Sequence, residues 1–125
     1  MENNFIKKIP IYYTLLLILL SLIPVPDLGF PSFKLFEMDK LIHFIMYSIF
    51  IILWGLKIGF NKIKMFNLII YSILLGLFLE ILQHLLPFGR YFDLGDFIAN
   101  SIGVLFGAFI LYYLKKKITL AEHEI

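Results

Sequence analysis

Four apolar runs dominate this chain and decide what it can become. They extend from Ile9 to Ile23, from Leu41 to about Ile58, from Met65 to Leu86 and from Phe97 to Leu114. A helix needs about 20 mainly apolar residues to cross the hydrocarbon core of a bilayer, so four crossings use roughly 80. In a chain of 125 residues that leaves short connections. Apolar residues make up 61 % of the sequence and charged residues 16 %, against about 45–50 % and ~25 % in ordinary soluble domains. That is too little polar surface to cover a water-soluble globule. The pattern predicts an all-α, polytopic membrane protein: a four-transmembrane-helix bundle forming a single integral membrane domain over residues 1–125. It excludes a multidomain soluble enzyme. A net charge of +2 gives no basis for a nucleic-acid partner, and the absence of cysteine removes disulfides and thiolate–metal chemistry.

The first run is short for a full crossing unless Phe5 and Ile6 join it and Lys7 and Lys8 snorkel to the headgroups. A basic start followed by an apolar stretch also resembles a signal peptide. Pro24-Val25-Pro26 stands where a small-residue cleavage site is needed, however, so the segment reads as a retained anchor. Lys7, Lys8, Lys57, Lys62, Lys64 and Lys115–Lys117 all fall on one side of a four-crossing arrangement, with Lys34, Lys40 and Arg90 on the other. The positive-inside rule then puts both termini and the Gly59–Lys64 turn in the cytoplasm. Aromatic residues mark both water interfaces: Tyr12, Tyr13, Trp54, Tyr112 and Tyr113 inside, Phe30, Phe33, Phe36, Tyr91 and Phe92 outside. The outer loop from Pro24 to Met38 is expected to be irregular, and the tail from Thr119 to be a frayed end.

Polar residues interrupt the apolar runs at particular places. The second run opens on Asp39-Lys40, with His43 and Tyr47 following at four-residue spacing on the face of Asp39. The third carries Glu80, Gln83 and His84 on one face, and Glu80 lies roughly 10 Å below the outer end at Pro87. The fourth is preceded by Arg90 and Asp93 and runs Asp96, Asn100, Gly103, Gly107 along one stripe. All three clusters fall at the outer ends of their helices, which predicts a shared polar pocket at the outer leaflet. A carboxylate at the depth of Glu80 costs a few kcal/mol, so it must face the bundle. Plainer explanations exist for several of these residues. Asp39 and Asp96 stand where helix caps belong, Asn100 can serve as interhelical glue, and the two glycines can form a packing seam. Neither a cap nor a snorkel accounts for Glu80.

Taken in order, Asp39-Lys40-x-x-His43-x-x-x-Tyr47, Glu80-x-x-Gln83, Pro87-x-x-Arg90 and Asp96-x-x-x-Asn100-x-x-Gly103-x-x-x-Gly107 resemble the VanZ-like family, over Met38 to about Gly107. These are small bacterial membrane proteins, some associated with resistance to the glycopeptide antibiotic teicoplanin. The resemblance implies that Asp39, Lys40, His43, Glu80, Gln83, Arg90, Asp96 and Asn100 are signature positions; His84 is not among them. It fixes no molecular activity and does not make this protein a resistance determinant.

The function expected from these residues is binding or modification of a cell-envelope component, lipid-linked or peptidoglycan-related. Asp39, His43 and Glu80 are the candidate acid–base residues, with Lys40, Gln83, Arg90, Asp96 and Asn100 as candidate ligand-binding residues. Membrane lipids are the expected partners, and the oligomeric state is open. A small proton-coupled exporter and a non-catalytic membrane scaffold are the alternatives. The first run has no ionisable residue between Ile9 and Ile23, unlike the glutamate-bearing first helix of small multidrug exporters. Asp39/His43 and Glu80/His84 each have spacing suited to one ion, yet only the first pair belongs to the family pattern, so no metal site and no cofactor is assigned. There is no Gly-x-Ser-x-Gly elbow for serine hydrolysis.

Overall fold

The computed structural model describes the backbone of residues 4–23, 32–59, 61–87 and 91–124, and the side chains of 4–23, 38–59, 61–87 and 91–123. Four helices follow one another: α1 (Asn4–Leu22), α2 (Ser32–Ile58), α3 (Lys62–Leu85) and α4 (Leu94–Glu124). Each is long and apolar enough to cross a membrane. Large apolar side chains face outward along all four, among them Leu19, Ile49, Phe78 and Phe109. In water such a surface drives aggregation, whereas in hydrocarbon it is the required face.

The helices run past the apolar segments that announce them. Phe5 and Ile6 do join α1, and Lys7 and Lys8 sit on its exposed face. Contrary to the expected irregular loop up to Met38, α2 begins at Ser32. The breakers Pro24, Pro26, Gly29 and Pro31 all lie before that point, and Ser32–Met38 contains none. Nor does the tail fray at Thr119: α4 continues to Glu124 because nothing from Lys115 onward stops a helix. At 31 residues it is about 46 Å long, against a hydrocarbon core of ~30 Å, so its lysine-rich end projects beyond the core. The short turn is as expected. Gly59 takes a φ of 83°, and Asn61 caps α3, its Oδ1 accepting from the Ile63 and Lys64 N–H groups.

The most extensive helix pair is α2 with α4. Gly103 lies against the Phe44 backbone and Gly107 against Ile51 and the Ser48 carbonyl, so a β-carbon at either position would collide with α2. The glycine seam therefore packs inside the bundle, and Ser48 Oγ reaches the Gly103 carbonyl at 3.0 Å. Close backbone approach through small residues holds helices together where no hydrophobic effect separates protein from lipid. Leu17, Tyr47, Phe50, Ile51, Leu79 and Val104 fill the core. Polar ties bring α1 against α2: Trp54 Nε1 donates to Thr14 Oγ1 at 2.8 Å, and the Tyr13 hydroxyl donates to the Met46 carbonyl. Lys7 and Lys57 flank an apolar groove between α1 and α2, and Lys62 and Lys115 another between α3 and α4. Lys7, Lys57, Lys62 and Lys115 thus gather at one end of the bundle, and Asp39, His43, Glu80 and Asp96 at the other. Phe30, Phe33 and Phe36, and the segment from Pro24 to Pro31, fall outside the described side chains.

Candidate functional site

The second, third and fourth helices meet around His43. It lies in the fourth turn of α2, buried, with one ring nitrogen toward α4 and α3 and the other toward two carboxylates. Nδ1 is 2.8 Å from Asn100 Oδ1 and 3.9 Å from Glu80 Oε1. Nε2 is 3.5 Å from Asp39 Oδ1, one turn earlier in α2, and 3.8 Å from Asp96 Oδ2. Four-residue spacing along a helix accounts for the Asp39–His43 contact; the others require tertiary assembly. Glu80 and Asn100 are each 1 % exposed, and Tyr47 lies beneath them, equally buried. Gly76, one turn before Glu80, makes room, since a β-carbon there would sit 3.3 Å from both the Tyr47 ring and the Asn100 side chain.

Lys40 extends across the start of α4. Its Nζ is 3.0 Å from Asp93 Oδ2 and 3.2 Å from Asp96 Oδ1. Gly95 permits this path, because a β-carbon there would meet Lys40 Cε and Nζ. Asp93 is the N-cap of α4: its Oδ1 accepts the Gly95 N–H at 2.8 Å and its carbonyl accepts from Asp96 and Phe97. Partial burial works against ionisation of Asp93, but the Lys40 ammonium and the Gly95 N–H outweigh it and hold the carboxyl below the usual carboxylate range. Asp96 divides its two oxygens, Oδ1 toward Lys40 and Oδ2 toward His43.

Two plainer explanations open in the sequence thereby close. Asp39 is no cap, because α2 starts seven residues before it. Asp96 is in the first turn of α4, where its charge suits the helix dipole, but the capping falls to Asp93. Of the residues singled out in sequence, Asp39, Lys40, His43, Glu80, Asp96 and Asn100 come together here. Gln83 is buried and donates its amide to the Ser21 carbonyl, tying α3 to α1. His84 is exposed, its Nδ1 accepting the Phe92 N–H at 3.3 Å, and so stands apart from the cluster. Arg90 lies outside the described residues. Sequence reasoning had placed Asp93 beside the site without its capping role, although Asp-x-Gly at a helix start signals it. Gly76 and Gly95 were missed. An isolated glycine one turn from a buried glutamate was the available sign.

Asp39, His43 and Asp96 each offer a ligand atom within 4.8 Å of the others'. The arrangement can relay protons between ring and carboxylates, or coordinate a cation.

Comparison with known families agrees with the family resemblance seen in the sequence. A family model described as VanZ/LLP1 matches residues 3–116, which takes in α1 to α3, most of α4 and every residue of the cluster. No curated protein and no solved structure matches the chain. With four membrane-crossing helices and a match over nearly its whole length, this multi-pass membrane protein belongs to the VanZ/LLP1 family.

Proposed function

We propose that the cluster around His43 is a site that binds or acts on a cell-envelope component, lipid-linked or peptidoglycan-related, at the outer leaflet of the bacterial cytoplasmic membrane. In this reading the lysine-rich end lies in the cytoplasm, following the positive-inside rule, and the His43 end faces out. The observation that carries the reading is the convergence of charged groups from three helices on one buried imidazole. Ionisable side chains inside a membrane bundle are costly, and bundles retain them chiefly where chemistry or transport uses them. In this reading Asp39, His43 and Glu80 exchange protons with a bound molecule, and the contacts of Asp96 and Asn100 with His43 orient its ring. Lys40 orients Asp96 from the far side. A guanidinium such as that of Arg90 suits a phosphate or carboxylate on the ligand. Resistance to glycopeptide antibiotics is one consequence such a site can have.

The test is Glu80→Gln and His43→Gln in a host where the intact gene gives an envelope or teicoplanin phenotype, with membrane abundance measured in the same cells. The expected result is loss of the phenotype at an abundance within about twofold of the parent. An unchanged phenotype at normal abundance contradicts the reading. A parallel fall of phenotype and abundance favours internal hydrogen-bond glue in a scaffold, an alternative that the His43–Asn100 and Gln83–Ser21 bonds also fit.

A further inference from the structure

The two nitrogens of His43 face different chemistry. Asn100 Oδ1, 2.8 Å from Nδ1, can only accept, and Glu80 Oε1 lies on the same side of the ring. Nδ1 therefore carries a hydrogen, and in the neutral ring Nε2 presents its lone pair. That lone pair meets Asp39 Oδ1 at 3.5 Å and Asp96 Oδ2 at 3.8 Å, so three electron-rich atoms from two helices face one another. A positive charge shared by all three, a proton on Nε2 or a metal ion, holds such a trio together. Lys40 already serves both Asp93 and Asp96, and it takes Asp96 by Oδ1, leaving Oδ2 directed at His43.

We propose that Asp39 Oδ1, His43 Nε2 and Asp96 Oδ2 hold one divalent first-row transition-metal ion of the zinc type. Zinc binds nitrogen and carboxylate oxygen at about 2.0–2.2 Å, which sets neighbouring ligand atoms of a tetrahedron roughly 3.3–3.5 Å apart. The observed separations from Nε2 are at or slightly above that range. Asp39 Oδ1 is already at 3.5 Å, and Asp96 Oδ2, at 3.8 Å, has a few tenths of an ångström to close. Ligating histidines generally donate their other N–H to an acceptor, and ligating carboxylates are hydrogen-bonded in turn. Asn100 fills the first role and Lys40 the second. Three protein ligands leave a fourth position for water or for an oxygen of the bound molecule, the pattern of catalytic and not of structural zinc. The substrate class this favours is one that offers a phosphate or carboxylate oxygen to the metal. The inference rests on the proposed function for that substrate class, but not for the metal itself.

The experiment uses the full chain, free of any histidine tag, purified in detergent, stripped with chelator and titrated with Zn²⁺ against a chromogenic competitor. The expected result is one Zn²⁺ per chain. Affinity should fall at least tenfold in His43→Gln, Asp96→Asn and Asp39→Asn, and about 10–100-fold in Asn100→Leu, which removes the acceptor behind the ring. His84→Gln and His123→Gln, at exposed positions away from the cluster, should bind as the parent does. Because buried substitutions can prevent folding, Co²⁺ is added to the unaltered chain, where intense visible bands of a four- or five-coordinate ion are expected. Absence of saturable Zn²⁺ binding, binding undiminished in Asp39→Asn, or a Co²⁺ spectrum no different from the hydrated ion overturns the proposal. Loss of the envelope phenotype in Glu80→Gln without any metal binding would retain the site and discard the ion. Metal binding without that phenotype would do the reverse.

Discussion

Lysine serves opposite purposes at the two ends of this bundle. At one end Lys40 turns across the helix interface and lies between Asp93 and Asp96. At the other, Lys57, Lys62, Lys64, Lys116 and Lys117 are exposed. Two of these lie over aromatic rings, Lys57 at 5.3 Å from the Trp54 ring centre and Lys117 at 5.0 Å from that of Tyr113. A long side chain at a membrane boundary can carry its charge outward to water while its stem covers apolar surface. A charge turned inward must instead be met by its neighbours. Orientation relative to the packed interior, and not residue type, separates the anchoring lysines from the one that belongs to the site.

The difference can be broken in several ways. The largest effect is expected at Gly103, where a side chain would strike the Phe44 backbone, which cannot yield as a flexible side chain would. Gly103→Val should cost about 3 kcal/mol of stability in an SDS unfolding titration. Gly59→Ala, in the turn at the lysine-rich end, has open space around it and bears only the strain of a positive φ, about 1–2 kcal/mol. Equal losses would show that the α2–α4 seam is not the tightest part of the bundle. Next is Lys40→Met, which leaves Asp96 without its ammonium partner. A loss of about 1–3 kcal/mol is expected, discounted from the fully buried case because Lys40 is partly exposed. Lys62→Met, at an exposed position, should stay within about 0.5 kcal/mol. Similar values for the two would erase the distinction between the ends.

The smallest effect is on acid sensitivity. The Asp93 carboxyl is held below its ordinary range when folded. The stability it contributes is therefore complete above the unfolded carboxylate value and is lost as pH falls through the lower, folded one. In unfolding titrations from about pH 6 down to about pH 3, Asp93→Asn should flatten part of the decline seen in the parent chain. The change should be modest, because the Asp93 side chain is about a third exposed and well screened. An identical decline in both proteins would remove Asp93 from the paired charges.

Much of this architecture was legible in the amino-acid order. Apolar runs of near-crossing length located all four helices, because hydrocarbon tolerates little else. They located the ends less well. Hydropathy reports where lipid lies, whereas helix ends depend on breakers and caps, so Ser32–Met38 and the stretch after Thr119 were misread. Four-residue spacing showed that Asp39 and His43 share a face. It could not show that Asp96, 53 positions beyond His43, turns its second oxygen toward the same nitrogen, or that Gln83 turns away to Ser21. Those depend on how the helices rotate about their axes, which the glycine seam of α4 settles by the depth to which it admits α2. The three-ligand constellation was invisible in sequence for the same reason: it needs Asp39 and His43 from one side of that seam and Asp96 from the other.

That α2 and α4 turn their charges onto one another can be tested by a double-mutant cycle on unfolding free energy, with Lys40→Met, Asp96→Asn and both together. Direct contact across the helix interface predicts that the double variant is more stable than the sum of the single losses by about 1 kcal/mol or more. Losses that add within about 0.5 kcal/mol would mean that the two side chains do not meet, and with that contact would go the polar cluster around His43.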